Sequence, residues 1–459
     1  MSALWTAQDI AATTGGQAHG DFSVRDVTFD SREVVGGELF VALHGETTDG
    51  HRFIDQARAR GAAGFLVRED CAHPHVRVAD TMAALEALGR AARARTSAKI
   101  IGVTGSVGKT SVKEALRLAF ARMAAEATHA SVKSYNNHTG VPLSLARMPS
   151  ATRWAIFEMG MNHAGELTAL SAQVRPHVAL ITWVASAHRE FFESEEAIAD
   201  AKAEIFSGLE PGGIALIPHD SPYRERLRGH AAKFTQDIRS FGEGEGADVR
   251  AQFVSLGAET SQMVVTYGQA RQLVTIGAPG RHWVNNGLAV LAAVLAAGGD
   301  VGQAALALAE MPGLAGRGQR HRIAVGGGQA LLIDESYNAN PASMAAALAV
   351  LGTTAPQAGG RRVAVLGAMR ELGESSDDFH AALAPQIAAA GVELAILVGP
   401  EMAALAAQKT GYAQIHVADV KAALALLQQE MRAGDVVLLK GSNSIGLGAI
   451  TTQLTGDKG

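Results

Sequence analysis

The chain has 459 residues, of which 47% are hydrophobic and 19% charged, which describes a well-folded globular protein and excludes a disordered one. That length exceeds what a single core serves and suggests about three domains. A formal net charge of -5 and a pI near 6.4 argue against nucleic acid as the main partner. The lone cysteine, Cys71, leaves no disulfide framework or Cys-rich metal site and suits a reducing cytosol. The opening MSALWTAQDI lacks the basic-then-apolar pattern of a signal peptide. The longest apolar run, near 288–297, falls short of the roughly 18 residues a membrane span needs. The expectation is a cytoplasmic protein without a membrane span, monomeric by default.

Residues 1–84 read as a small α/β unit, with strands at 39–43 and 65–67 around a helix at 53–60. Polar loops flank the first strand: Asp30-Ser31-Arg32 before it and Thr48-Asp49-Gly50-His51 after it. On residue chemistry alone these are loop caps, with Asp and Ser bonding their own backbone. A helix at 82–95 leads without a Pro/Gly-rich linker into the next unit.

From 85 to 312 strands and helices alternate, which implies a mostly parallel sheet covered by helices on both faces. The stretch 99–120 carries the strongest signal. Ile100, Ile101 and Val103 form a buried strand, and Gly102, Gly105 and Gly108 lead into Lys109-Thr110. Val112, Ala115, Leu116, Ala119 and Phe120 then follow at helical spacing. Strand, glycine-rich turn, Gly-Lys-Thr and helix make a phosphate-binding loop. In it the backbone N–H groups surround phosphate oxygens, Lys109 reaches the outer phosphates and Thr110 ligates Mg²⁺. The common form has a glycine where this chain has Val103.

Strands at 154–157 and 178–181 should end at the same edge as this loop, since ligands of such sheets sit beyond the carboxyl ends of the strands. Glu158 ends the first of them and His188 follows the second. Together they offer a carboxylate and an imidazole for a divalent ion, although His is an unusual Mg²⁺ ligand and a surface role for His188 stays open. In the segment 195–207, Ile198, Lys202, Ile205 and Phe206 share one helical face. A lysine on an apolar stripe snorkels, pairs, or loses its charge within a site. The Gly-Glu-Gly-Glu-Gly turn at 242–246 and a hairpin near 263–276 suggest no chemistry, and an Ala/Leu-rich helix at 286–297 closes the unit.

Residues 313–459 form a third, Rossmann-like α/β unit, with strands at 331–333, 363–366, 394–398 and 436–439. Arg317 lies at the hinge. Asp334, Glu335, Tyr337, Asn338 and Asn340 cluster at one strand end, and Asn340-Pro341 is an N-cap and first-turn pair for a helix at 342–351.

Along nearly its whole length the chain resembles the Mur ligases, which add amino acids to the bacterial cell-wall precursor. The resemblance rests on Thr104-Gly105-Ser106-Val107-Gly108-Lys109-Thr110, on Asp30-Ser31-Arg32, on Gly37 to Leu43 and on Asp49-Gly50-His51. Tyr135-Asn136-Asn137 with Gly140-Val141-Pro142-Leu143, Glu158 to His163, and Asp334 to Pro341 point to one branch of the family. That branch joins D-alanyl-D-alanine to UDP-N-acetylmuramoyl-tripeptide, and the family's own loop pattern accommodates Val103. The resemblance implies a UDP-binding domain, a central ATP-binding domain and a C-terminal ligase domain. It assigns ATP and its metal to Gly105, Ser106, Gly108, Lys109, Thr110 and Ser111, with Asn286 near the adenine and Arg317 and Asp334 as contacts from the third domain. Thr110, Glu158, His188 and Lys202 become ligands of two Mg²⁺ ions, Lys202 as a carbamate. The first domain's polar loops become nucleotide contacts through Ser31, Arg32, Asp49, Gly50 and His51. Asn136, Asn137, Tyr337, Asn338 and Asn340 serve the peptide substrates. Three positions depart from the family pattern: Trp283 after His282, Asn443 where arginine is common, and His138. A sister ligase, a nucleotide-regulated binding protein and a simple phosphotransferase are the competing readings.

Overall fold

The computed structural model describes residues 3–45, 48–186, 190–311 and 313–456. Its largest sheet has nine strands, and Lys99–Thr104 lies near one end of it, between Trp154–Glu158 and Val178–Ile181. These strands run parallel, as do Ile214–Pro218, Ile238–Gly242 and the start of Val249–Leu256; the hairpin Ser261–Tyr267 with Ala270–Ile276 adds two antiparallel strands at the edge. Alternation sends neighbouring side chains to opposite faces. Ile101, Val103, Ile156 and Leu180 pack under the helices Lys109–Ala124, Arg281–Ala296 and Val301–Ala309. Ile100, Phe157 and Ile181 pack under Gly140–Ala146, Glu166–Val174 and Glu195–Ala203. Two apolar layers therefore hold the sheet from both sides, as its continuous hydrophobic strands require.

The first unit is built on a five-stranded sheet ordered Gln17–His19, His75–Arg77, Gly64–Val67, Glu38–Val41 and Asp26–Thr28. The helix Thr81–Ala94, capped by Asp80, runs unbroken past position 84 and serves both units. Leu85 and Leu88 join the core of the first unit together with Leu143 and Ala146 of the second. Arg93, at the helix's far end, donates to the carbonyls of Val174 and Arg175.

The last unit carries a six-stranded sheet. Gln319–Val325 pairs antiparallel with Gly328–Glu335, which is followed in space by the parallel strands Val436–Lys440, Arg362–Gly367, Leu394–Val398 and Ala413–Val417. Asn340 caps Pro341–Thr353 with a reciprocal Ser343 contact, as its sequence anticipates. Among the described residues no helix is long and apolar enough to cross a membrane.

Candidate active site

The phosphate loop follows the strand Lys99–Thr104, and the helix Lys109–Ala124 starts at its last glycine. Two glycines are dictated by close approach. A Cβ on Gly105 would collide with the Thr182 hydroxyl, and one on Gly108, which has φ +84°, would sit 2.5 Å from Asn286 Oδ1. The loop is braced from the neighbouring strand end. Ser106 N–H donates to Trp183 O, Ser106 Oγ donates to Ala185 O at 2.9 Å, and Thr182 Oγ1 donates to Val107 O at 2.6 Å. Lys109 Nζ lies folded on Gly105 O at 2.6 Å, within the cradle its backbone forms.

Glu158 comes beside this loop because its strand is parallel to Lys99–Thr104 with Glu158 opposite Val103. It is 1% exposed. Asn136 Nδ2 donates to its Oε1 at 2.8 Å, while Oε2 is buried with no hydrogen-bond partner among the described residues. A buried carboxylate oxygen left unpaired is costly, and a cation is what satisfies it. Lys202 is equally buried on the helix Glu195–Ala203, on one face with Ile198, Ile205 and Phe206. Its amine is held well below the ordinary lysine range, first by burial and then by the Lys109 charge. Lys109 is itself lowered by burial, partly offset by Glu158. A lysine buried beside the Lys109 charge is a costly cation unless something in the site compensates it. The hydroxyl of Thr110 and the carboxylate of Glu158 are hard oxygen donors that suit a divalent cation. His188 lies outside the described residues.

Lys109, Thr110 and Glu158 open onto a cleft of about 900 Å³ between the carboxyl ends of the two large sheets, with Lys202 buried behind them. Ser106, Gly108, Lys109, Thr110, Ser111, Asn136, Asn286, Arg317, Tyr337, Asn338 and Asn340 all line it. Arg317 Cζ lies over the Tyr337 ring, 4.3 Å from its centroid, and Tyr337 OH donates to Ser134 Oγ at 2.8 Å across the junction of the two units. The remaining expected residues lie elsewhere. Asp334 is buried and accepts from Ser336 N–H, holding its own turn. Asn137 accepts from the backbone of Thr139 and Gly140. Ser31 donates to Gln56 at 2.9 Å, while Arg32 forks onto Asp30 and remains exposed. Asp49 accepts from the N–H of His51, and its carboxylate is held well below its usual range by bonds from that backbone and ring; Gly50 approaches Leu43 too closely for a Cβ.

One loop, residues 131–137, joins all three units. Lys133 and Tyr135 bond Glu33 of the first unit, Ser134 meets Tyr337 of the third, and Asn136 holds Glu158. Beneath it Lys113, fully buried, donates to the carbonyls of Ser131 and Lys133, each at 2.9 Å. Sequence reasoning passed over this lysine, although a lysine between Val112 and Ala115 on a buried helix face carries the same signal as Lys202. It also passed over Lys440, which parallel register places beside Glu335 and whose Nζ donates to Asn338 O at 2.8 Å. Burial pushes Glu335 up and Lys440 down, each opposing the other, and burial lowers nearby His282 to about 4. The glycine-rich turn at 242–246 also proves to belong to the cleft: Glu243 lines it, pairs with Arg281 at 3.0 Å, and is held by Asp220. Glu371, at φ +63°, and Arg370 line the opposite wall.

Three family models match the chain in order: the Mur ligase family catalytic domain over residues 23–96, the Mur ligase middle domain over 103–294, and the Mur ligase glutamate ligase domain over 316–443. A UDP-N-acetylmuramoyl-tripeptide--D-alanyl-D-alanine ligase from Synechocystis is 34% identical over 95% of this chain and 92% of its own. A crystal structure of MurF from Acinetobacter baumannii superposes with a TM-score of 0.84 at 31% identity, covering 99% of both chains. MurF ligase from Thermotoga maritima in complex with ADP superposes with a TM-score of 0.77 at 26% identity, over 94% of this chain and 97% of that one. With a phosphate loop facing a ligase domain across one cleft, and with relatives matched end to end, this chain belongs to the Mur ligase family.

Proposed function

We propose that the chain is an ATP-dependent ligase that joins D-alanyl-D-alanine to UDP-N-acetylmuramoyl-tripeptide, forming the pentapeptide precursor of peptidoglycan in the cytoplasm. The observation that carries the reading is the convergence of Lys109, Thr110 and the unpaired oxygen of Glu158 on one cleft, with buried Lys202 beside Lys109, in a chain whose relatives bear that ligase's name. Domains at 1–84, 85–312 and 313–459 hold the UDP end, ATP and the dipeptide.

The loop's backbone N–H groups and the start of the helix Lys109–Ala124 receive the phosphates, and Lys109 leaves Gly105 O to meet the γ-phosphate. Thr110, Glu158 and His188 would hold Mg²⁺, and Lys202 as a carbamate would help hold a second ion; bound there, the ions would supply charge neutralisation on the transferring phosphate. The terminal carboxylate of the tripeptide attacks the γ-phosphorus and ADP leaves, giving an acyl phosphate. The dipeptide amine, having lost a proton, attacks the acyl carbon, and the tetrahedral adduct collapses to the amide with release of phosphate. Asn136 orients Glu158. Arg317, stacked on Tyr337, presents a fixed cation from the third unit, and the Tyr337–Ser134 contact keeps that unit against the phosphate loop while water is excluded. Ser31, Arg32, Asp49, Gly50 and His51 receive the uridine nucleotide, Arg32 by releasing Asp30. Asn286 and the Glu243–Arg281 pair flank the adenine side, with Asp334 holding the turn behind Arg317.

The test is phosphate release from ATP with UDP-N-acetylmuramoyl-tripeptide, with and without D-alanyl-D-alanine. Release requiring both, and lost in Lys109→Ala, supports the ligase; release independent of both overturns it.

A further inference from the structure

The first unit carries a second cluster of metal-ligating side chains, on the sheet edge and outside the cleft. His19 and His75 are directly opposite residues on the antiparallel strands Gln17–His19 and His75–Arg77. Their imidazoles stack with centroids 4.6 Å apart and planes 9° from parallel. Asp70 faces both: its Oδ1 is 3.2 Å from His75 Nε2 and 3.8 Å from His19 Nε2, and one ligand atom from each residue lies within 4.8 Å of the others.

His75 is nearly buried and its tautomer is set. Its Nδ1 lies 2.7 Å from the carbonyl oxygen of His73, and a carbonyl only accepts, so Nδ1 carries the hydrogen. A neutral His75 therefore points the lone pair of Nε2 at a carboxylate oxygen 3.2 Å away. Two lone pairs at that distance repel unless a cation lies between them, either a proton on Nε2 or a metal ion. The backbone carbonyl behind the ring is also the partner that orients metal-binding histidines generally. Arg77 engages Asp70 through the other oxygen, Oδ2, at 3.0 Å, and is itself tied to Gln17, which leaves Oδ1 available.

We propose that His19, Asp70 and His75 form a binding site for a late first-row divalent metal such as Zn²⁺, separate from the magnesium chemistry of the cleft. Two imidazoles and a carboxylate are the ligands Zn²⁺ takes and a poor set for Mg²⁺. Tetrahedral zinc with bonds near 2.0 Å spaces its ligand atoms by about 3.3 Å. The His75–Asp70 separation already matches, and His19, on the exposed edge strand, would turn its ring out of the stack with His75 to aim its Nε2 lone pair at the same ion. The bound ion would clamp the edge strand Gln17–His19 to its neighbour, with water in the fourth position.

Metal-free full-length protein, saturated with Mg²⁺ and ADP, is titrated calorimetrically with Zn²⁺, and separately with Co²⁺ followed by visible absorption. The variants are His19→Ala and Asp70→Asn, both at exposed positions, so that folding is preserved. The site predicts one zinc equivalent that weakens roughly tenfold or more in each variant, tetrahedral cobalt bands that vanish with it, and unchanged ligase turnover in Mg²⁺. Equal zinc stoichiometry and affinity in wild type and both variants, or no zinc bound by the wild type, overturns the proposal.

Discussion

Lys202→Met separates stability from function at the buried lysine. Lys202 is 1% exposed, carries Lys109 as its charged neighbour, and lies on the helix side whose core includes Ile198, Ile205 and Phe206. Its folded pKa is lowered, so below the ordinary lysine value the unfolded chain binds more protons than the folded one. Stability then rises with pH by about 1.4 kcal/mol per unit between the depressed folded value and about 10.5, and the penalty is constant below that window. Methionine fills nearly the same volume without an amine, so the variant should be more stable by about 1–4 kcal/mol. Its advantage should be largest at the acid end and vanish toward about pH 10. Turnover should nevertheless fall by about 10² or more, because the group proposed to become a metal-binding carbamate is gone. The assays are urea unfolding in CO₂-free buffer across that pH range and phosphate release with both substrates. A variant less stable than wild type at low pH, or one that keeps full activity, refutes the reasoning. Added bicarbonate should stabilise the wild type alone.

Four other perturbations test the remaining parts of the site. Asn136→Ala removes the donor to Glu158 Oε1, and should weaken Mg²⁺ activation roughly 10- to 100-fold in a metal titration of turnover while leaving the fold intact. Gly105→Ala drives a methyl into the Thr182 hydroxyl and should abolish binding of a fluorescent ATP analogue. Lys113→Met strands the carbonyls of Ser131 and Lys133 and leaves Glu114 without its buried partner; unfolding in urea should show a loss of about 3–5 kcal/mol. Tyr337→Phe keeps the ring under Arg317 but loses the bond to Ser134, so KM for the dipeptide should rise several-fold while stability changes by about 1 kcal/mol.

Most of the elements were legible because local chemistry decides them. The strands at 178–181 and 394–398 stand where their apolar runs predict, and the Asn340-Pro341 helix start needs only its own capping geometry. The phosphate loop is likewise local, since glycines, lysine and threonine act within one turn of chain. Lys202 was legible as an anomaly, because a charged residue on an apolar helical stripe contradicts its neighbours. The expected caps at Asp30 and Asp49 are present as local bonds. The nucleotide contacts at Ser31 and Arg32 came from the family resemblance alone.

What tertiary structure alone decided is which distant groups meet. The sequence placed Glu158 at the phosphate-loop edge, and the register adds its position opposite Val103; Lys440 beside Glu335 is a pairing that no spacing within either strand encodes. The same holds for Glu243 and Asp220 on the cleft, for the loop at 131–137 that touches all three units, and for the facing imidazoles of His19 and His75. By itself the chain determined its strands, its turns and its phosphate cradle, because those depend on interactions within a few residues. Partners brought together across tens of residues or more depend on the order in which strands join a sheet, and that is settled by burial of the whole core rather than by any one segment.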